Sequence, residues 1–116
     1  RLLDEAPPAP AIASIRFGGA LQQKAGPFQV SYLRRSLEVK FIARTYARAH
    51  DVRFRYRLRG LTDTWIETAE QGATFPNLAP GSYQFEVEAG TDQVWSARQA
   101  GFRFDIEAPW WRSPWF

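Results

Sequence analysis

Between Val52 and Arg59 the chain reads Val-Arg-Phe-Arg-Tyr-Arg-Leu-Arg, an unbroken alternation of apolar and basic residues. Successive side chains of a β-strand point to opposite faces, so Val52, Phe54, Tyr56 and Leu58 would form one apolar face and Arg53, Arg55, Arg57 and Arg59 a basic one. A period of two fits a half-buried strand and not an amphipathic helix. Gly60 then ends the run.

The same period recurs elsewhere. Leu37, Val39, Phe41 and Ala43 alternate with Glu38, Lys40, Ile42 and Arg44. Tyr83, Phe85, Val87 and Ala89 alternate with Gln84, Glu86 and Glu88, and Phe102, Phe104 and Ile106 with Arg103, Asp105 and Glu107. Shorter runs are expected at Thr64 to Thr68, which carries Trp65, and at Ala73 to Phe75. Ala11 to Phe17 reads as an edge strand ended by Gly18-Gly19, and Phe28 to Tyr32 as a short irregular one. Strands every 8 to 15 residues or so, with turn signals between them and no helical period, predict an all-β, Ig-like or fibronectin-III-like β-sandwich of about seven to eight strands.

At 116 residues the chain has room for one such core and not two. With Pro7, Pro8 and Pro10, residues 1–10 read as an extended linker from a preceding domain; residues 11–108 form the sandwich and 109–116 an aromatic tail. The sequence contains no Met and starts inside that linker, which suggests a piece of a longer protein. Without Cys it has neither a disulfide framework nor a thiolate metal site.

Leu78-Ala79-Pro80-Gly81-Ser82-Tyr83 places a tyrosine at the entry of a late strand, just after a Pro-Gly turn. From there its hydroxyl can return to upstream backbone as the tyrosine corner of Greek-key sandwiches, a folding device rather than a binding site.

A net charge of +3 and the arginine stripe at Arg53, Arg55, Arg57 and Arg59 raise two functional readings, an interface for a partner domain or a site for an anionic glycan. A third reading is favoured. In an Ig-like sandwich this strand would neighbour the one carrying Glu86 and Glu88, which neighbours the one carrying Arg103, Asp105 and Glu107, so opposite charges would pair across strands. Nucleic acid is not expected as a partner, because single-strand binders interleave exposed aromatics with basic residues and here the aromatics alternate onto the buried face.

No enzyme is expected either. His50 is the single histidine, in a turn-like His50-Asp51, with no second ligand spaced near it. The carboxylates read as scattered over exposed strand faces, and no cofactor or metal motif is present. The tail Pro109 to Phe116 is different, with three Trp and one Phe in eight residues. Patches of that kind mark a partner or a membrane interface, where Trp favours the headgroup region, unless Trp110 and Trp111 fold back to cap the core.

The stretches Phe54 to Gly60, Trp65, Ala73 to Tyr83, Trp95-Ser96 and Pro109 to Phe116 together resemble the triple-tyrosine (Y_Y_Y) domain of propeller-containing bacterial two-component sensors. The resemblance covers nearly everything from Leu37 onward, with Tyr56, Gly60, Trp65, Phe75, Asn77, Pro80, Gly81, Tyr83 and Trp95 as its motif positions. The family's three tyrosines fall on Tyr56, position 75 and Tyr83; Phe at 75 keeps the ring and gives up one hydroxyl. The resemblance implies an extracytoplasmic, periplasmic module that follows β-propellers and precedes a transmembrane helix, with Trp110, Trp111, Trp115 and Phe116 beside the membrane. It further implies a homodimer, a carbohydrate ligand taken mainly by the propellers, and a signalling output such as a histidine kinase. The alternative is a carbohydrate-binding or spacer module of a secreted hydrolase, which the tryptophan-rich tail disfavours.

Overall fold

Every long alternating run of the sequence becomes a strand that buries its apolar face between two sheets. The computed structural model describes residues 9–24, 26–44, 52–91, 94–95 and 99–109. In chain order the strands are β1 (Ala9–Phe17), β2 (Ala20–Leu21), β3 (Phe28–Val30), β4 (Leu37–Arg44), β5 (Arg53–Arg59), β6 (Ile66–Thr68), β7 (Gly72–Phe75), β8 (Gly81–Thr91), β9 (Val94–Trp95) and β10 (Ala100–Ile106). One sheet has the order β2-β1-β4-β7 and the other β3-β10-β8-β5-β6, with β9 paired to the far end of β8. The chain crosses between the sheets after β2, β3, β4, β6 and β7, so neither sheet is built from consecutive strands alone.

The core lies where β4 faces β5 and β8. Leu37, Val39, Phe41, Phe54, Leu58, Phe85, Val87 and Ala89 are each at most 1% exposed. Its contacts are largely aromatic: Phe41 meets Phe54 with ring centres 4.8 Å apart, Phe85 stacks on Phe102 at 5.4 Å, and Phe17 lies against Phe104 at 5.0 Å. Edge-to-face and offset geometries of this sort add roughly 0.5–1.5 kcal/mol per pair beyond the area they bury.

Ten strands stand where seven to eight were expected, the additional β2 and β9 being two residues each, and three further details differ from the sequence expectation. β1 begins at Ala9, two residues inside the stretch read as linker, and Pro10 sits opposite Ala43. It is not strictly an edge, because β2 covers Arg16 and Phe17, although the register shift between Ile12 and Ser14 breaks the ladder along the rest. A bulge there twists an otherwise pairable edge away. Lastly, Phe28–Val30 is a regular strand, and it pairs with β10 in parallel, Val30 opposite Ile106.

Strand directions give the sandwich two distinct ends. β1 enters at the end where Ala9 pairs with Arg44, and β10 leaves at the end where Ile106 pairs with Gly81 and Val30. The exit end is closed by backbone hydrogen bonds between connections: Gly18 N donates to Ser36 O, Leu78 N to Arg35 O, and Glu107 N to Val30 O. Gly60 belongs to the same end. At φ +105° and with Ser82 O 2.5 Å from where a Cβ would stand, it tolerates no side chain.

Candidate interaction surface

The outer face of β5 and β8 carries the most charge-bearing chemistry among the described residues, and the register builds it. Arg55 lies directly opposite Glu88, and Arg57 opposite Glu86. Arg55 Nε donates to Glu88 Oε1 at 2.7 Å, and Arg57 Nε to Glu86 Oε1 at 2.7 Å. Arg59 stands 3.9 Å from the second oxygen of Glu86 and 3.7 Å from Asp63. Arg53 is opposite Gly90 and exposed. Cross-strand pairing therefore accounts for three of the four arginines.

The expected pairing was a solvated one, and here the structure corrects it. Glu86 and Glu88 are only 6% and 7% exposed. Two tryptophans lie over the arginines that pair with them. Trp65, just before β6, places its ring 4.3 Å from the Arg57 guanidinium and 5.0 Å from that of Arg55. Trp95 in β9 lies opposite Gly90, which has no side chain, and its ring reaches Arg55 at 4.5 Å. The remaining oxygen of Glu88 accepts from Gln99 Nε2 at 2.7 Å. Both carboxylates are thus covered and answered, and no buried side-chain polar atom lacks a partner among the described residues.

This arrangement is a second, charged layer locked over the sheet. Each charge-assisted bond contributes more than an exposed pair, about 1.5–3 kcal/mol before the desolvation of the acids is set against it. It also fixes register: a one-residue slip of β5 would turn its arginines into the apolar core. The third strand does not join the ladder as expected. Arg103 faces Gln84, and Asp105 accepts from Gln29 Nε2 at 3.2 Å.

Two aromatics also lie with basic residues on the outer face, contrary to the expectation that all aromatics alternate inward. Trp65 and Trp95 escaped that reading because both sit outside the long alternating runs, where the sequence period assigns no face. The signal available was Gly90, a gap in the outer row of β8 that a large neighbour could cross.

The other motif positions act inside the fold. The Tyr83 hydroxyl donates to Ala79 O at 2.6 Å, which is the anticipated corner, and its ring stacks on Phe104 at 5.2 Å. Tyr56 meets Phe75 edge to face at 5.9 Å and stacks on Phe85 at 6.1 Å. The family's first two aromatic positions therefore touch, while Tyr83 stands at the exit end. Burial raises the phenol pKa of Tyr56, with the Glu70 carboxylate adding to it, and burial raises that of Tyr83. Asn77 takes the left-handed conformation at φ +56°, turning the chain from β7 toward Pro80 and Gly81, where β8 begins. His50, Trp110, Trp111, Trp115 and Phe116 lie outside the described residues.

Comparison with known proteins places the fold. A histidine kinase, P4, from Formosa agariphila is 25% identical over 87 residues, 74% of this chain and 6% of the kinase. The extracellular domain assigned to the hybrid two component system BT3049 of B. thetaiotaomicron superposes with a TM-score of 0.77 at 24% identity, over 88% of this chain and 16% of that one. The corresponding domain of BT4673 from the same organism gives 0.72 at 20% identity, over 89% and 16%. The chain thus spans a small fraction of each relative. Residues 45–107, more than half of the chain, match the Y_Y_Y domain family and hold every motif position from Tyr56 to Trp95, and the chain belongs to that family.

Proposed function

We propose that this domain is the extracytoplasmic, membrane-proximal relay module of a two-component-type sensor, with no catalysis of its own. In this reading ligand-sensing propellers precede it, a membrane helix follows it, and the output is a kinase or similar signalling enzyme. Pairing of two copies would set two such helices side by side. A carbohydrate ligand would act through the propellers.

The observation that carries the reading is mechanical. The chain enters at one end of the sandwich and leaves at the other, after Ile106. Nine residues of β1 span about 30 Å along that axis. Between entry and exit stand a close-packed aromatic core and the Arg–Glu–Trp layer, both of which resist shear. A displacement applied at Ala9 is therefore delivered at Pro109 with little lost in deformation. Family membership and the names of the relatives, a histidine kinase and two extracellular sensor domains, support the placement.

The reading is tested by the parent gene. It predicts an apolar span of about 20 residues starting within roughly 30 residues of Phe116. A polar, soluble continuation there would exclude the relay role and favour a spacer of a secreted protein.

A further inference from the structure

The exit end carries a pattern that the family motif does not use. Sheet order sets β3, β10, β8 and β5 side by side, so the connections after β3 and after β5 flank the exit of β10. With neighbouring strands about 4.8 Å apart, those two connections start about 14 Å from each other. One is Tyr32-Leu33-Arg34-Arg35 and the other Gly60-Leu61-Thr62. Leu33 is 81% exposed and Leu61 57%, the two most exposed large hydrophobics among the described residues.

Both leucines are held outward. Ser31 Oγ accepts from Leu33 N at 3.2 Å, Arg34 N donates to Ser31 O at 2.9 Å, and Arg35 O accepts from Leu78 N at 2.8 Å. Arg34 Nη1 donates to Gly18 O at 3.4 Å, and the Arg35 guanidinium lies 4.0 Å from the Tyr32 ring. On the other side, Leu61 N and Thr62 N both donate to Leu58 O. Asp63 is engaged with Arg59, so the cationic character concentrates at Arg34 and Arg35, whose guanidinium groups donate to the backbone carbonyls of Gly18 and Tyr32.

A tyrosine, an aliphatic tip and two arginines are the chemistry that a lipid headgroup layer accepts: the tip enters the acyl boundary and the guanidinium groups meet phosphates. The sequence leaving this same end, Pro109-Trp110-Trp111-Arg112-Ser113-Pro114-Trp115-Phe116, repeats that composition. We propose that the exit end of the sandwich rests directly on an anionic lipid surface, with Leu33 and Leu61 dipping into it on either side of the chain exit and Arg34 and Arg35 on lipid phosphates. The inference rests on the membrane-proximal reading above. It adds that the folded domain, and not only its tail, touches the bilayer.

The test is co-sedimentation of the 116-residue chain with vesicles of phosphatidylethanolamine and phosphatidylglycerol, against phosphatidylcholine alone. The Leu33→Ser/Leu61→Ser variant should partition about tenfold less onto anionic vesicles, with unchanged circular dichroism. Arg34→Gln and Arg35→Gln should each cost about fivefold at low salt. A third variant, Trp110→Ser/Trp111→Ser/Trp115→Ser/Phe116→Ser, separates the tail. If it alone abolishes binding and the leucine variant binds like wild type, the contact by the folded end is overturned and the membrane-proximal reading stands. If the leucine variant instead dissociates a dimer seen without vesicles, this end is a protein interface and the lipid assignment is wrong. The membrane-proximal reading fails separately, through the gene sequence beyond Phe116.

Discussion

Arg57 reaches across the β5–β8 pair to Glu86 at 2.7 Å, and the carboxylate it answers is one of two buried acids in the described fold. Neighbouring Arg55 and Glu88 repeat the arrangement one pleat away. Removing one member of such a pair leaves a charge in a place that water reaches poorly, whereas removing both leaves apolar surface under a tryptophan.

Arg57→Leu should therefore destabilise the domain by about 2 kcal/mol, since Arg59 at 3.9 Å takes over only part of the pairing. Arg57→Leu/Glu86→Leu should recover most of that loss. Urea unfolding of the two single variants and the double variant measures the coupling, and simple additivity would mean that the pair is no more than a surface contact.

Trp95 acts on the same layer from β9. Trp95→Ala removes the ring over Arg55 and uncovers Gly90, so a cost of about 1 kcal/mol is expected, with faster amide hydrogen exchange at Gly90 and Thr91. Exchange that rises equally throughout the core would instead point to global destabilisation.

The Tyr83 corner ties the start of β8 to Ala79. Tyr83→Phe keeps the stack on Phe104 and loses the 2.6 Å bond, leaving Ala79 O to solvent, for a cost of about 1 kcal/mol in equilibrium unfolding. Phe75→Tyr, which restores the family's second tyrosine, should change stability by less than about 0.5 kcal/mol, because that ring is half-buried at the sheet rim.

Alkaline pH probes the same rings. With the folded-state pKa of Tyr56 and Tyr83 raised by burial, the native state keeps protons that the unfolded chain has released. Their contribution is then fully present below the ordinary tyrosine pKa of about 10 and is lost as pH rises from there through the folded values. Phenolate absorbance should show a late-titrating component that shrinks in Tyr56→Phe and in Tyr83→Phe. Its persistence in both variants would contradict the assignment.

What the sequence made legible follows from chain period. β4, β5, β8 and β10 each carry an alternating run of six residues or more, so their faces could be anticipated, and the Ig-like strand order then set the arginine strand beside the one carrying Glu86 and Glu88. Phe28–Val30 is too short to carry a period, and its partner β10 lies 76 residues further along the chain, so its parallel pairing was hidden. The burial of Glu86 and Glu88 was hidden for a related reason. It goes with Trp65 and Trp95 lying over the arginines that pair with these acids, and neither tryptophan sits in a run long enough to assign it a face. The exit-end leucines sit in turns, where exposure is decided by how three connections meet.

The central claim, an extracytoplasmic module beside the membrane, is most directly tested by where one residue of the intact parent lies. The chain has no cysteine, and Thr74 is exposed on the edge strand β7, so Thr74→Cys in the full-length parent supplies a probe that the unsubstituted parent lacks in this domain. Labelling of outer-membrane-permeabilised cells with a membrane-impermeant maleimide should modify this position before the inner membrane is broken. Modification only after lysis would place the domain in the cytoplasm and contradict the account.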